Sequence, residues 1–243
     1  MIEDGARGAS HGHLSIMTPV RYVGDALSAI GCTTRSNSHR SFRPSRHTGT
    51  DCRCGEMGRG GAGDTVPGMP PIFAVDAETN GLYGLVWAIG AVVLEPESGT
   101  VTATFRGQLS PGEVTDDWTR EHVVPVVNLP RYPSRAELLE AFWGFWEGYR
   151  GEERASAVAD VKMPVESGLF RACVERAPAK RWNRGPYPLH ELASALWMAG
   201  FDPDIDRRAF CGRADLTPHD PVDDALLAAL CWARLDRMRP VTV

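Results

Sequence analysis

Asp76 and Glu78 stand two residues apart in "IFAVDAETNGLYG" (residues 72–84), at the close of an apolar run. Side chains of a strand alternate between its faces, so both carboxylates project to one side and can reach one cation. Paired hard oxygen ligands suit Mg²⁺ or Mn²⁺, which bind carboxylates together with phosphate oxygens and retain several waters. Taken alone, the pair also fits a solvated strand end before a turn. A second acidic cluster lies near the other end of the chain, in "TPHDPVDDALLAAL" (217–230). Asp220 is placed to cap a helix with Pro221 at its first position, which puts Asp224 in the first turn, where the helix dipole favours an anion. His219 overhangs the same end. A histidine beside a cation-bound water is a natural general base near neutral pH. Asp223 is the alternative carboxylate, but it should point about 100° away around the helix, toward solvent or the cap.

The elements that must position these groups begin at about Met69. Residues 71–76 read as a strand ending at the carboxylate pair, and 85–95 as a long apolar interior strand. "ESGT" (97–100) is a turn and 101–109 a third strand, making a hairpin with the second. "PSRAELLEAFWGFWEGYR" predicts a helix with Ser134 as N-cap and Glu137 as its capping-box partner. Its stripe of Leu138, Phe142, Phe145, Trp146 and Tyr149 reads as core. A short strand over 155–160 leads to a helix over 164–177 with Pro164 in its first turn, then a helix over 188–203 stopped by Gly200, and a last helix over 221–238. The order β-β-β-α-β-α-α-α predicts an α/β domain, a hairpin-containing mixed sheet covered by helices.

Residues 1–68 are rich in Gly, Ser, Arg and His, with few apolar residues and no period. Such a segment buries too little surface to offset its ordering entropy, and a disordered tail is expected, with Met69 an alternative start. Cys52 and Cys54, near His39 and His47, lack the spacing of a zinc finger. Cys173 and Cys231 fall in apolar helical patterns as small core residues. The net charge of −5 argues against coating nucleic acid through bulk positive charge, while leaving room for an enzyme that handles one chain end in a small cleft. No stretch reaches the roughly 18–20 uninterrupted apolar residues that cross a bilayer, and no secretory pattern opens the chain. A cytoplasmic location is the expectation.

"FAVDAETNG" and "HDPVDDALLAA" resemble the first and third motifs of the DEDDh exonucleases, the group that includes the bacterial polymerase III proofreading subunit, RNase T and oligoribonuclease. The resemblance spans about residues 70–237. It implies an RNase H-like mixed sheet with a β-β-β-α-β-α core, and 3′→5′ hydrolysis of DNA or RNA with two Mg²⁺ or Mn²⁺ ions. Asp76, Glu78 and Asp224 would hold the metals, and His219 would activate the attacking water. The second motif departs from the family pattern. In "ADVKMPVESGLF" Glu166 aligns with the family's aspartate, one carbon longer, and Asp160 at the strand end is the alternative ligand. Thr79, Asn80, Gly81 and Leu82 would line the pocket for the terminal nucleotide, chiefly through backbone groups. Leu82 or Tyr83 would stack on its base or pack the turn. Residues 115–125 are a candidate cleft wall, with Trp118 read as a packing residue.

Single-stranded 3′ ends of DNA or RNA are the expected partners, and the chain ending at Val243 suits a stand-alone trimming enzyme better than a proofreading subunit. A nuclease-like domain that binds ends with weak or no cleavage is the competing expectation, and docking through the Arg-rich tail a third. A homodimer through the aromatic 142–149 helix is conceivable, although core packing explains the stripe equally well.

Overall fold

The computed structural model describes residues 69–150 and 155–239, so the expectations for the 1–68 segment, its cysteines included, lie outside the described residues. Its frame is a five-stranded mixed sheet: β1 (Ile72–Thr79), β2 (Val86–Glu95), β3 (Thr100–Gln108), β4 (Ser156–Ala159) and β5 (His190–Glu191), in the spatial order β3-β2-β1-β4-β5. β1 pairs antiparallel with β2 and parallel with β4, and β2 runs antiparallel to β3. The helices are α1 (Asp117–His122), α2 (Arg135–Tyr149), α3 (Val165–Glu175), α4 (Pro178–Arg181), α5 (Leu192–Met198), α6 (Arg207–Cys211) and α7 (Pro221–Met238). The α/β class, the mixed sheet and the flanking helices are as the sequence predicts. No helix among the described residues is long and apolar enough to cross a membrane.

β2 is buried along nearly its whole length, as an unbroken apolar run between two partner strands should be. The sheet's two faces are covered differently. On one face Phe73 of β1 meets Trp146 of α2 edge-on at 5.0 Å and Phe145 at 5.6 Å. Phe142 and Trp146 are buried there with Phe73, so the aromatic stripe of α2 is core. Each such ring contributes roughly 1.5–3 kcal/mol of burial. α2 starts as its sequence indicates: the Ser134 hydroxyl accepts from the Glu137 N–H at 3.3 Å and donates to Glu137 Oε1 at 3.0 Å.

The opposite face belongs to α7. Ala225, Ala228 and Ala229 are buried against the sheet, and their small side chains let the helix backbone come close. Approach is tightest at its N-terminus. A Cβ on Gly90 of β2 would lie 2.2 Å from the carbonyl carbon and oxygen of Pro221. Gly90 pairs with Asp76 in the β1–β2 register, so the start of α7 is seated beside Asp76.

Two expectations are corrected. The first strand does not end at Asp76: it continues to Thr79, with its irregularity between Glu78 and Thr79. The helix expected over 188–203 begins only at Leu192, because His190 and Glu191 extend the sheet by pairing with Val158 and Ala159 of β4. That helix ends at Met198, and Gly200 follows at φ 84°.

Candidate active site

Since Phe73 points toward α2, the two-residue period turns Asp76 and Glu78 to the other face, under α7. Asp224 reaches them from the first turn of α7. Asp220 caps that helix as its sequence indicates, accepting from the Val222 N–H at 2.9 Å. Asp223 turns away, accepting from the Thr217 N–H at 2.8 Å and holding the loop that precedes the helix. His219 sits in that loop with φ 63°, in the left-handed region that non-glycine residues seldom occupy. Its backbone N–H donates to Asp224 Oδ2 at 2.8 Å. Ligand atoms of Glu78, His219 and Asp224 all lie within 4.8 Å of one another, a cluster that could hold a metal ion.

α3 supplies a fourth carboxylate. Glu166 is buried, and its Oε2 has no hydrogen-bond partner. Asp160, the alternative, is engaged elsewhere: Arg207 of α6 grips its Oδ1 through Nη2 at 2.7 Å and Nε at 3.0 Å. The structure therefore brings Asp76, Glu78, Glu166, Asp224 and His219 together, with Asp160 beside them already paired.

The electrostatics of the group are those of acids crowded out of water. Burial, then the charge of Glu166, pushes the Asp76 carboxyl well above the usual range. Burial and Asp224 raise Glu78 to about 8. Burial also lifts Glu166 to about 7, against the pull of its own N–H and that of Ala77. Asp224 rises to about 7 for the same leading reason, opposed by the His219 N–H. Buried anions at such spacing need positive charge between them or must take up protons. The donor set is all carboxylate oxygen plus one imidazole, and it includes the unpartnered Glu166 Oε2. That composition fits Mg²⁺ or Mn²⁺.

A cleft of ≈ 320 Å³ between the turn after β1, α2 and α3 is lined by Thr79, Leu82, Tyr83 and Leu85, and none of the clustered acids lines it. Arg135, Pro164, Gly168 and Arg171 also line it. Leu82 and Tyr83 are exposed. The Asn80 side chain is committed to the neighbouring loop, which leaves its backbone groups for the lining role. Its Oδ1 accepts from the Thr115 N–H at 2.6 Å and its Nδ2 donates to the Glu113 carbonyl at 3.1 Å. Gly81 makes the turn, at φ 68°, and Thr79 closes it with a 2.7 Å hydrogen bond from its hydroxyl to the Gly81 carbonyl.

Sequence reasoning missed how α1 joins the site. Asp116 caps α1, accepting from the Thr119 N–H at 2.8 Å, and the Thr119 hydroxyl contacts the Thr79 carbonyl at 3.3 Å. "TDDWT" carried the capping signal, an aspartate three residues before Thr119. The helix sets Trp118 edge-on to the His219 ring at 5.6 Å and stacked on His122 at 5.0 Å. Trp118, read as a packing residue, is 55% exposed and forms a wall beside His219.

No protein-family model matches the sequence, and no curated protein matches it. Among solved structures, the chain is similar to the nuclease domain of 3′hExo, a DEDDh family member, bound to rAMP. The TM-score is 0.42 and the identity 13%, over 70% of this chain and 93% of that one. It is similar to the same degree, with TM-score 0.42 and 13% identity, to a 3′-exonuclease in a structure of 3′-end specific recognition of a histone mRNA stem-loop, over 71% of this chain and 84% of that one. A full-length 3′-exonuclease gives a TM-score of 0.39 at 13% identity, over 69% of this chain and 59% of that one.

Proposed function

We propose that this chain is a metal-dependent 3′→5′ exonuclease that removes nucleotides from the 3′ end of single-stranded DNA or RNA. The observation that carries the reading is the meeting of Asp76, Glu78, Glu166 and Asp224, from three separate elements, under the exposed ring of His219. Four crowded acids must hold protons near neutral pH unless a cation serves them, and a lone structural carboxylate would have been paired as Asp160 is.

Asp76, Glu78, Glu166 and Asp224 would hold two Mg²⁺ or Mn²⁺ ions. Bound there, the ions would neutralise the phosphodiester, acidify water and stabilise the departing 3′ oxygen. His219 takes the proton of the attacking water on a ring nitrogen. Its left-handed backbone and the hydrogen bond to Asp224 fix where that ring stands. Trp118 limits its swing from one side. Leu82 and Tyr83, exposed on the turn that follows the Asp76–Glu78 pair, offer apolar surface to the base of the terminal nucleotide.

The test is cleavage of 5′-labelled single-stranded DNA and RNA with Mg²⁺, Mn²⁺ or EDTA, with the Asp76→Asn protein alongside. Stepwise shortening from the 3′ end, lost with EDTA and in the variant, is the expected result. Tight binding of 3′ ends by folded protein, with no shortening under either metal, would overturn the enzyme in favour of an end-binding domain.

A further inference from the structure

Two turns along α7 from Asp224, Cys231 meets Cys211 at the end of α6. The two are free thiols whose sulfurs lie 2.7 Å apart. Cys231 is fully buried, whereas Cys211 is only partly so. We propose that Cys211 and Cys231 form an oxidation site that reacts with a peroxide and closes to a disulfide.

The surroundings of the two sulfurs divide the labour between them. Arg234 lies over the Phe210 ring at 4.5 Å and hydrogen-bonds the Phe210 carbonyl, so its charge is held next to Cys211. The hydrogen bond from Cys231, followed by the charges of Arg234, Arg213 and Arg237, lowers the Cys211 thiol below its ordinary value. A partly exposed thiol in an electropositive setting is the reactive kind. Contact with Cys211, together with burial, keeps Cys231 protonated. Cys173 is the contrast. It is buried, its Sγ faces the Leu139 carbonyl at 3.7 Å, and burial pushes it up to about 12, so it is an inert core thiol.

The chemistry balances without any further reagent. The Cys211 thiolate attacks one peroxide oxygen and the O–O bond breaks. The departing oxygen takes a proton and leaves as water or an alcohol. Cys211 is then a sulfenic acid. The Cys231 sulfur attacks the Cys211 sulfur, the S–O bond breaks, and the Cys231 proton leaves with the hydroxide as water. Two thiols lose two electrons to the peroxide. The disulfide closes the segment 211–231, which carries both His219 and Asp224. It also consumes the Cys231 thiol, whose sulfur lies 3.7 Å from the carbonyl of Arg207, the residue whose side chain grips Asp160. The inference does not depend on the proposed nuclease activity.

The test treats the full chain with hydrogen peroxide and maps its cysteine peptides. Expected is a Cys211–Cys231 linked peptide that dithiothreitol reverses, while the Cys173 peptide stays free. Cys231→Ser should stop at a sulfenic acid on Cys211 that dimedone traps, and Cys211→Ser should abolish the linkage while leaving Cys231 unmodified. Circular dichroism of both variants checks that each is folded. Recovery of free Cys211 and Cys231 peptides after peroxide, or Cys173 reacting as fast as Cys211, would overturn the proposal.

Discussion

The His219 backbone N–H donates to Asp224 Oδ2 at 2.8 Å, and it does so from a left-handed conformation, φ 63°. The two residues are therefore one unit: the bond that steadies the carboxylate also sets the imidazole over it. Non-glycine residues in this region cost roughly 1–2 kcal/mol, a cost borne where geometry matters. Asn tolerates the left-handed region well, so His219→Asn should fold as the parent does while losing the proton acceptor. Cleavage is expected to fall by about 10²–10⁴-fold with the melting temperature unchanged. Unaltered cleavage in a folded His219→Asn protein would remove His219 from the mechanism.

The raised carboxyls make the metal-free protein sensitive to alkali. Each ionises later in the folded chain than in the unfolded one, with Glu78 at about 8 and Glu166 and Asp224 at about 7. Below about pH 3 both states are protonated and the fold carries no penalty. As pH climbs toward 8 the unfolded chain releases these protons first, so stability is lost over that window. Melting curves in EDTA should therefore slide to lower temperature between about pH 5 and 8, and Mn²⁺ should reverse most of the slide. Asp76→Asn removes one charge from the group and should flatten the EDTA series. Parallel pH series for the two proteins, unaffected by Mn²⁺, would contradict the cation reading.

What the sequence made legible was whatever local periodicity encodes. Asp76 and Glu78 fall on one face by the two-residue period of a strand, and Asp220, Pro221 and Asp224 declare a helix start within five residues. The contacts that complete the site are remote in sequence. Arg207 reaches Asp160 across 47 residues, and the Asn80 side chain reaches Glu113 across 33. No local pattern anticipates either. β5 was hidden for a related reason: two residues cannot display a period, and the apolar spacing of α5 runs on backward through "PLHEL". Cys231 looked like an ordinary core residue because its partner, Cys211, belongs to a five-residue helix with no periodic signal of its own.

Glu166 and Asp160 can be told apart by which property each variant loses. Glu166→Gln keeps the volume and removes a charge from the acid cluster. Metal affinity should fall by more than the roughly 10–100-fold that outer partners cost, with stability equal or improved in EDTA. Asp160→Asn instead leaves the Arg207 guanidinium, whose side chain is only 13% exposed, without its anion. A stability loss of about 1–3 kcal/mol is expected, with a smaller loss of metal affinity. Titration of Mn²⁺ into both proteins, alongside urea unfolding, makes the comparison. The reverse pattern would make Asp160 the ligand.

Gly90 is the point at which the fold sets the spacing of the site. It lies across from Asp76, and the first residues of α7 rest on its backbone, with the carbonyl of Pro221 2.2 Å and the N–H nitrogen of Val222 2.4 Å from where a Cβ would stand. Those neighbours are backbone, so they can give way only if the helix start moves as a whole. Gly90→Ala should therefore lift the segment carrying His219, Asp220 and Asp224 away from Asp76 and Glu78, although it touches no proposed ligand. Overpacking of this kind costs about 1–3 kcal/mol, which would appear as a lower urea midpoint. Cleavage and Mn²⁺ affinity should fall together, since His219 and Asp224 ride on the displaced turn. A Gly90→Ala protein of parental stability and activity would show that α7 does not need this close seat on the sheet.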